Sequence, residues 1–198
     1  MLALRFSENY VEAGCDEAGR GCLAGPMFAA AVILPADFRN ELLDDSKKLT
    51  HQQREELRPI IEREALAWEV ASVDNLVIDE INILRASFRA MHLAIAQLQV
   101  KPELLLIDGN RFDPYPDIPH QCIIRGDGQY MSIAAASVLA KTHRDAFMCS
   151  LHDEYPFYNW KQNKGYPTSA HREAIMIHGI TPLHRRSFNM HTQLDMDF

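Results

Sequence analysis

Short apolar runs alternate along the chain with segments in which apolar residues recur every three or four positions. The runs predict strands, and those that are apolar almost throughout predict strands buried on both faces of a sheet. The predicted strands cover residues 11–16, 27–34, 68–73, 104–107 and 121–124. Gly19, Gly21, Gly25 and Pro26 separate the first two strands and predict a tight, hairpin-like link.

Helical periodicity predicts four helices. Thr50 and Gln53 form a capping-box pattern, and the apolar positions that follow them recur at helical spacing. Residues 82–98 carry one apolar stripe, residues from 132 to about 152 are rich in alanine, and a helix over 169–178 is closed by Gly179. The predicted order of elements is therefore β-β-α-β-α-β-β-α-α.

The chain is long enough for one domain with a substantial core. Its 198 residues are 47% hydrophobic and 24% charged, and no internal repeat divides them. The proline-rich stretch 113–119 predicts a surface loop and not a domain boundary. We therefore predict a single mixed α/β domain over 1–198, with helices on both faces of the sheet and a helical extension from about residue 150.

Cysteine, histidine and apolar patterns argue against several classes of protein. The 4 cysteines form no C-x-x-C pair, which favours free thiols in a reducing compartment. The 9 histidines show no zinc-type spacing with a carboxylate. The longest apolar run is too short to cross a bilayer, and the N-terminus does not resemble a signal peptide. We expect a cytoplasmic protein that binds neither zinc nor a membrane.

Charge is distributed unevenly. The net charge of −7 disfavours binding to nucleic acid by bulk attraction, because proteins that coat nucleic acid are usually basic. From Lys141 to His191, however, seven Lys or Arg residues outnumber four Asp or Glu residues, for a local charge of +3. We therefore expect the C-terminal quarter to carry a phosphate-binding face.

Four acids follow segments that otherwise predict buried strands: Asp16, Glu17, Asp108 and Asp127. Loops that leave strand ends shape clefts in open sheets, so these acids are candidates for one site. Grouped carboxylates raise one another's pKa unless a cation neutralises them, and hard oxygen ligands favour Mg²⁺ or Mn²⁺ over zinc. Taken singly, each acid is more simply interpreted as a turn residue. Neighbouring strand residues point to opposite faces, so Asp16 and Glu17 share a site only if the strand twists or ends there.

Longer sequence blocks change this picture. Residues 16–26, DEAGRGCLAGP, resemble the signature of bacterial ribonuclease HII. Further blocks resemble that family in the same order: DSKKL at 45–49, EINIL at 80–84, LIDGN at 106–110, GD at 126–127, AAASVLAK at 134–141, KGYPT at 164–168 and HR at 184–185. Because several independent blocks agree over residues 11–190, the chain is similar to type 2 ribonucleases H along nearly its whole length.

The resemblance implies a ribonuclease H-like α/β fold, in which helices flank a mixed sheet. It implies an endonuclease that hydrolyses the RNA strand of RNA/DNA hybrids and cuts 5′ to ribonucleotides embedded in duplex DNA, leaving 3′-hydroxyl and 5′-phosphate ends. Two Mn²⁺ or Mg²⁺ ions are implied as cofactors, since a pair of ions suits in-line phosphodiester hydrolysis. Asp16, Glu17 and Asp108 would bind the metal, and Asp127 would complete the catalytic set.

The resemblance also implies roles in substrate binding. Gly19-Arg20-Gly21 resembles the family's turn that contacts the ribose 2′-hydroxyl, and Tyr166 resembles its tyrosine that stacks on the next sugar. Contacts to phosphate are expected from loop and C-terminal residues, for which a solvated surface position is the alternative. These residues are Ser46, Lys47, Lys48, Lys164, His184 and Arg185.

Several alternatives stay open at this point. Asp145, on the predicted helix 132–152, is interpreted as an ion-pair partner and not a metal ligand, but it competes with Asp127 as the fourth acid. A Holliday-junction resolvase or a DNA exonuclease of similar fold would use the same metals, whereas a non-enzymatic nucleic-acid-binding module would not need four convergent acids. The expected partner is an RNA/DNA hybrid or a DNA duplex with an embedded ribonucleotide, bound by a monomer. Because the chain ends soon after Phe188, a clamp-binding C-terminal peptide is not expected.

Overall fold

A computed structural model describes residues 2–190, in which five strands form one mixed sheet. The strands are β1 (Glu12–Ala18), β2 (Met27–Ile33), β3 (Ala67–Val73), β4 (Leu104–Asp108) and β5 (His120–Ile123). They are arranged in the order β3-β2-β1-β4-β5, with β2 antiparallel to both β1 and β3 and β4 parallel to both β1 and β5. The five strands and the mixed sheet predicted from the sequence are confirmed.

Six α-helices are found in the same part of the chain. They are α1 (His51–Glu64), α2 (Asn75–Ile81), α3 (Ile83–Gln97), α4 (Met131–His152), α5 (Trp160–Asn163) and α6 (Ser169–His178). The four predicted helices are confirmed, and the capping box at Thr50 is present. The sequence analysis missed α2 and α5, which are too short to show a clear period. Asn82, with a φ of 67°, ends α2 and caps α3 through its side chain.

The two faces of the sheet are covered by different helices. Each face of the sheet has its own hydrophobic core, and alternate residues of β2 contribute to the two cores. Ala29 and Ala31 pack with α3, whereas Ala30 and Val32 pack with α1 and α4. Helix α4 lies so close to β1 that a methyl group at Gly14 would collide with the backbone of Ser132. This close packing brings the middle of α4 alongside the strand that carries Asp16.

The segment after α4 packs against one end of the domain. Leu23 and Ala24, from the connection between β1 and β2, form a third core with Met148 of α4, Trp160 of α5 and Ile175 of α6. The helical region predicted after about residue 150 therefore contacts the β1–β2 connection. Within residues 2–190, no helix has the length and apolar character needed to cross a membrane. The predicted absence of a clamp-binding peptide concerns residues 191–198, which lie outside the described residues.

Candidate active site

Three of the four predicted acids meet at one point. One carboxylate oxygen each from Asp16, Asp108 and Asp127 lies within 4.8 Å of the others. Asp16 is on β1 and Asp108 ends β4, and the parallel pairing of these strands brings the two acids together. The turn that carries Asp127 is held against β4 because the Gly126 backbone N donates to Asp108 Oδ1 at 2.7 Å. Adjacent strand pairing and one turn thus create the cluster.

Glu17 lies beside this group and not within it. It lines a cavity of about 250 Å³ together with Asp16 and Asp108, and its Oε1 accepts a hydrogen bond from Arg20 Nη1 at 3.3 Å. The prediction that β1 ends at Asp16 is wrong, because antiparallel pairing with β2 continues to Ala18. What ends here is the pairing with β4, whose last partner on β1 is Cys15. Because β4 no longer pairs with β1 beyond Cys15, the side chains of both Asp16 and Glu17 reach the cavity.

Burial and mutual repulsion act on the carboxylates. Burial raises the pKa of Asp16 well above its ordinary value, and the charges of Glu17 and Asp108 raise it further. Burial also raises the pKa of Asp108, with the charge of Asp127 adding to the effect. The pKa of Glu17 is raised by burial against the opposing influence of Arg20. The ionised cluster is therefore unfavourable unless a cation compensates it.

The donor set fits a hard divalent cation. The grouped atoms are all carboxylate oxygens, which Mg²⁺ and Mn²⁺ prefer over the nitrogen and sulfur ligands typical of zinc. The predicted metal ligands included Glu17 and left Asp127 to complete the catalytic set. In the structure, Asp127 belongs to the three-acid group, and Glu17 contributes its carboxylate at the adjoining wall of the cavity.

The loop containing Ser46 and Lys47 folds against the acids. Lys47 Nζ donates to Asp127 Oδ2 at 3.1 Å, although 76% of its side chain remains exposed. The buried Ser46 hydroxyl pairs with Ser137 Oγ of α4 at 2.8 Å. Lys48 lies outside the cavity lining and pairs with Asp44 at 3.1 Å. Of the predicted loop residues, Lys47 thus has both proximity to the acids and access to a ligand.

The predicted ribose-contacting turn and tyrosine share the cavity with the acids. Gly19, Arg20, Gly21 and Tyr166 line the same walls as Asp16. Gly19 has a φ of +97°, a conformation that glycine adopts without steric cost. A methyl group at Gly21 would meet nothing within 4 Å, so that side of the turn is open.

Three predicted phosphate contacts have other partners. His184 and Arg185 are 1% and 0% exposed, so the structure places their side chains in the interior and not on the surface that faces the cavity. They are buried because aromatic rings enclose His184 and backbone carbonyls accept hydrogen bonds from Arg185. Lys164 Nζ donates to the carbonyl of Lys161 and is absent from the cavity lining.

Asp145, the alternative candidate for the fourth acid, forms an ion pair with Lys141. Both of its carboxylate oxygens accept hydrogen bonds from Lys141 Nζ, at 2.5 and 2.6 Å, one turn away on α4. It does not join the group formed by Asp16, Asp108 and Asp127. This arrangement matches the sequence interpretation of Asp145 as an ion-pair partner.

Sequence reasoning missed three polar residues of the cavity wall: Arg54, Ser137 and Lys141. Ser137 and Lys141 are four residues apart on α4, a spacing that places them on one helix face and was visible in the sequence. Arg54 donates through Nη1 to the Ser46 carbonyl at 2.7 Å and so supports the loop that carries Lys47. No local pattern distinguishes Arg54 from an ordinary exposed arginine of a helix start.

Comparison with known proteins identifies the family. A family model described as Ribonuclease HII matches residues 13–191. A ribonuclease HII of Bacteroides thetaiotaomicron is 64% identical over 200 residues, which cover 100% of each chain, and one of Parabacteroides distasonis is 67% identical over 190 residues, which cover 96% of each. The crystal structure of ribonuclease H2 from Pyrococcus horikoshii superposes with a TM-score of 0.75 at 26% identity, covering 90% of this chain and 94% of that one. The chain therefore belongs to the ribonuclease HII family and is a ribonuclease H enzyme.

Proposed function

We propose that this ribonuclease hydrolyses the RNA strand of RNA/DNA hybrids and cuts on the 5′ side of ribonucleotides embedded in duplex DNA. The products would carry 3′-hydroxyl and 5′-phosphate ends. The observation that supports this proposal is that the Gly19–Gly21 turn and Tyr166 line the same cavity as Asp16 and Asp108. Groups suited to recognising a ribose thus lie next to groups suited to phosphodiester hydrolysis, which would make cleavage depend on a 2′-hydroxyl.

The proposed cofactor is a pair of Mn²⁺ or Mg²⁺ ions. Asp16, Asp108 and Asp127 would hold them with grouped oxygens, and Glu17 would add a fourth carboxylate from the same cavity. When bound, such ions lower the pKa of an attacking water and stabilise the leaving oxygen. Two divalent cations would also neutralise the four carboxylates, which removes the repulsion that raises the pKa of Asp16 and Asp108.

The open side of the turn supports ribose recognition. Within residues 2–190, no group accepts a hydrogen bond from the backbone N of Arg20 or Gly21. The carbonyls of Gly19 and Arg20, by contrast, accept hydrogen bonds from the protein. Free backbone donors beside an open glycine suit a 2′-hydroxyl, which is the group that distinguishes RNA from DNA.

Tyr166 and Lys47 would hold the substrate on either side of the acids. The Tyr166 ring lies 5.6 Å from Lys141 Nζ and 5.7 Å from Arg144 Cζ, so cations fix its orientation. From this position it would stack on the sugar that follows the ribonucleotide. Lys47 would neutralise a phosphate beside Asp127 and position the duplex without reading its sequence.

Mapping of cut sites tests the proposed function. Purified protein with Mg²⁺ or Mn²⁺ would be given three duplexes of one sequence: all DNA, DNA with one ribonucleotide, and an RNA/DNA hybrid. We expect a single break 5′ to the embedded ribonucleotide, cleavage of the RNA strand in the hybrid, and an intact all-DNA duplex. Equal cutting of the all-DNA duplex would instead support a DNA nuclease of the same fold.

A variant tests whether the acids carry the chemistry. Asp16→Asn should abolish cutting of the single-ribonucleotide duplex and of the hybrid, and leave binding to the single-ribonucleotide duplex largely intact, because it removes a carboxylate that the proposed ions need. Unchanged turnover in Asp16→Asn would remove the metal-site part of the proposal.

A further inference from the structure

We infer that Arg185, together with Arg144, positions the backbone of the Gly19–Gly21 turn for recognition of the ribose. The inference rests on the proposed function, because it assigns a role to residues behind the proposed ribose-binding turn. Neither arginine is placed to touch a substrate directly: both are 0% exposed in the structure. Their role would be exerted through the backbone carbonyls that they bind.

Arg185 contacts the connection between β1 and β2 at three points, one of which, the Arg20 carbonyl, belongs to the turn. Its side chain donates to the Arg20 carbonyl through Nη1 and to the Gly25 carbonyl through Nε, both at 3.0 Å. Its backbone N donates to the Leu23 carbonyl at 2.8 Å. The ring of Phe188 lies 5.2 Å from the guanidinium carbon and holds the side chain in place. A bound carbonyl at Arg20 fixes the orientation of the planar peptide unit that joins Arg20 to Gly21, and the N–H of this unit belongs to Gly21.

Arg144 extends the same support toward Tyr166. Its Nε and Nη2 donate to the carbonyls of Pro26 and Ala24 at 3.1 and 3.2 Å, and its Nη1 donates to the Lys164 carbonyl at 2.9 Å. Any side chain at Gly19 would collide with Arg144, which therefore packs directly beneath the turn. Arg144 thus links the β1–β2 connection to the loop that carries Tyr166.

The electrostatic cost of these arginines indicates a role beyond packing. Within residues 2–190, no carboxylate forms a salt bridge with either guanidinium. The buried Arg185 Nη2 has no hydrogen-bond partner, and burial lowers the pKa of Arg185 to about 10. A buried charge without a salt-bridge partner costs stability. The two buried guanidiniums orient the backbone carbonyls around the turn, and we infer that this is their function.

The consequence is a turn whose two sides are chemically different. The carbonyls of Arg20, Ala24, Gly25 and Pro26 are engaged by the two arginines. The backbone N of Arg20 and of Gly21 remains available on the exposed side. Because Leu23 N also donates to the Gly165 carbonyl at 2.8 Å, the distance between the turn and Tyr166 is constrained. Such constraint matters because small displacements of a positioned group reduce rates strongly.

The test replaces Arg185 and compares it with its neighbour. Arg185→Lys keeps the positive charge but cannot bind two carbonyls with the fixed fork of a guanidinium. Arg186→Lys is the matched control, because the Arg186 side chain is exposed and lies outside the cavity lining. Three quantities are measured for each: kcat/KM on the single-ribonucleotide duplex, affinity for the all-DNA duplex of the same sequence, and Tm.

We expect Arg185→Lys to lower kcat/KM on the single-ribonucleotide duplex by about 10- to 100-fold, the range found when a residue that orients a functional group is removed. Its affinity for all-DNA duplex should stay close to that of wild type, because Lys47 and the rest of the surface are unchanged. Arg186→Lys should match wild type in both respects. Equal losses on both duplexes would show a merely structural role and overturn the inference, as would a folded Arg185→Lys with wild-type kcat/KM.

A milder variant covers the case in which Arg185→Lys does not fold. Phe188→Leu removes the ring that holds the Arg185 guanidinium and leaves the arginine itself in place. We expect a smaller, roughly 3- to 10-fold loss of kcat/KM that is confined to the single-ribonucleotide duplex. The absence of such a selective loss would overturn the inference. If wild type itself fails to distinguish the two duplexes, the proposed function fails first, which separates the two results.

Discussion

Asp127 and Asp145 are both buried acids, 2% and 4% exposed, but their partners differ. Asp127 joins Asp16 and Asp108, whereas Asp145 is neutralised by Lys141 on its own helix. The choice between them as fourth acid depended on which one the fold brings to β1 and β4. The strand-exit turn held by Gly126 favours Asp127.

Variants of Asp127 and Asp145 can be compared directly by their activity. We expect Asp127→Asn to reduce kcat on an RNA/DNA hybrid by at least about 100-fold, the scale of losing one group that stabilises developing charge. Asp145→Asn should reduce it by less than about tenfold, since Lys141 and the three-acid group persist. Initial rates at saturating Mg²⁺ or Mn²⁺ would measure both. A larger loss in Asp145→Asn than in Asp127→Asn would reverse the assignment.

The carboxylate of Asp16 lowers the stability of the metal-free protein, although the proposed activity requires it. Its folded-state pKa is raised, so near neutral pH the metal-free folded protein is less stable than it would be with an ordinary carboxyl group. We expect Asp16→Asn to raise Tm in EDTA by a few degrees while abolishing cleavage. Added Mn²⁺ should raise the Tm of wild type more than that of the variant. Differential scanning fluorimetry with and without EDTA measures both, and a lower Tm for the variant in EDTA would contradict this account.

At the scale of elements, the site depends on the contact between β1 and α4. Gly14 lets the backbone of α4 lie directly on the strand, and this contact sets Ser137 and Lys141 beside the acids. The periodicities of β1 and α4 predict both elements but not how closely they approach. The glycine is the residue on which that approach depends.

We expect Gly14→Ala to destabilise the protein by about 1–3 kcal/mol or more, because the added methyl group would overlap backbone atoms of Ser132 and Ile133 that cannot rotate away. Gly128→Ala is the matched control: a methyl group there meets nothing within 4 Å, so the effect should stay within about 0.5 kcal/mol. Urea denaturation of the two variants measures the difference. Equal stability of both would show that α4 can shift away from β1.

At the scale of the whole molecule, stability should depend on pH through a buried histidine. His184 lies 5.4 Å from the ring of His171 and 5.1 Å from that of Tyr158, and burial lowers its pKa from 6.5 to about 4, with the proximity of His171 adding to this effect. Between these two pH values the unfolded chain binds a proton that the folded protein does not. The contribution of His184 to stability is therefore complete above pH 6.5 and is lost as the pH falls toward 4.

We expect this loss to reach up to about 3 kcal/mol by pH 4. His184→Asn keeps an acceptor for the Thr181 backbone N, which donates to His184 Nδ1 at 2.9 Å, and should show a shallower fall of Tm between pH 6.5 and 4. The control is His51→Gln, because the His51 side chain is 68% exposed. Identical slopes for wild type and His184→Asn would contradict the assignment.

Local patterns were sufficient for the main strands and helices, because burial on one or two faces imposes a period on the sequence. They were not sufficient for α2, which has seven residues and depends on Asp74 and Asn82 as caps. Likewise, the family resemblance suggested that Arg185 contacts phosphate, whereas the fold encloses its side chain among backbone carbonyls. A long side chain can turn inward or outward, and the local sequence does not say which.

The sequence by itself determined the order of the five strands and the four longest helices, the family resemblance and the acids Asp16, Glu17, Asp108 and Asp127, because periodicity and motif spacing are properties of the linear chain. Only the tertiary structure decided that β1 continues past Glu17 and that Asp127 joins Asp16 and Asp108. It also decided that two arginines lie behind the Gly19–Gly21 turn. These outcomes depend on strand pairing and on contacts between residues more than a hundred positions apart, and such contacts leave no local signature.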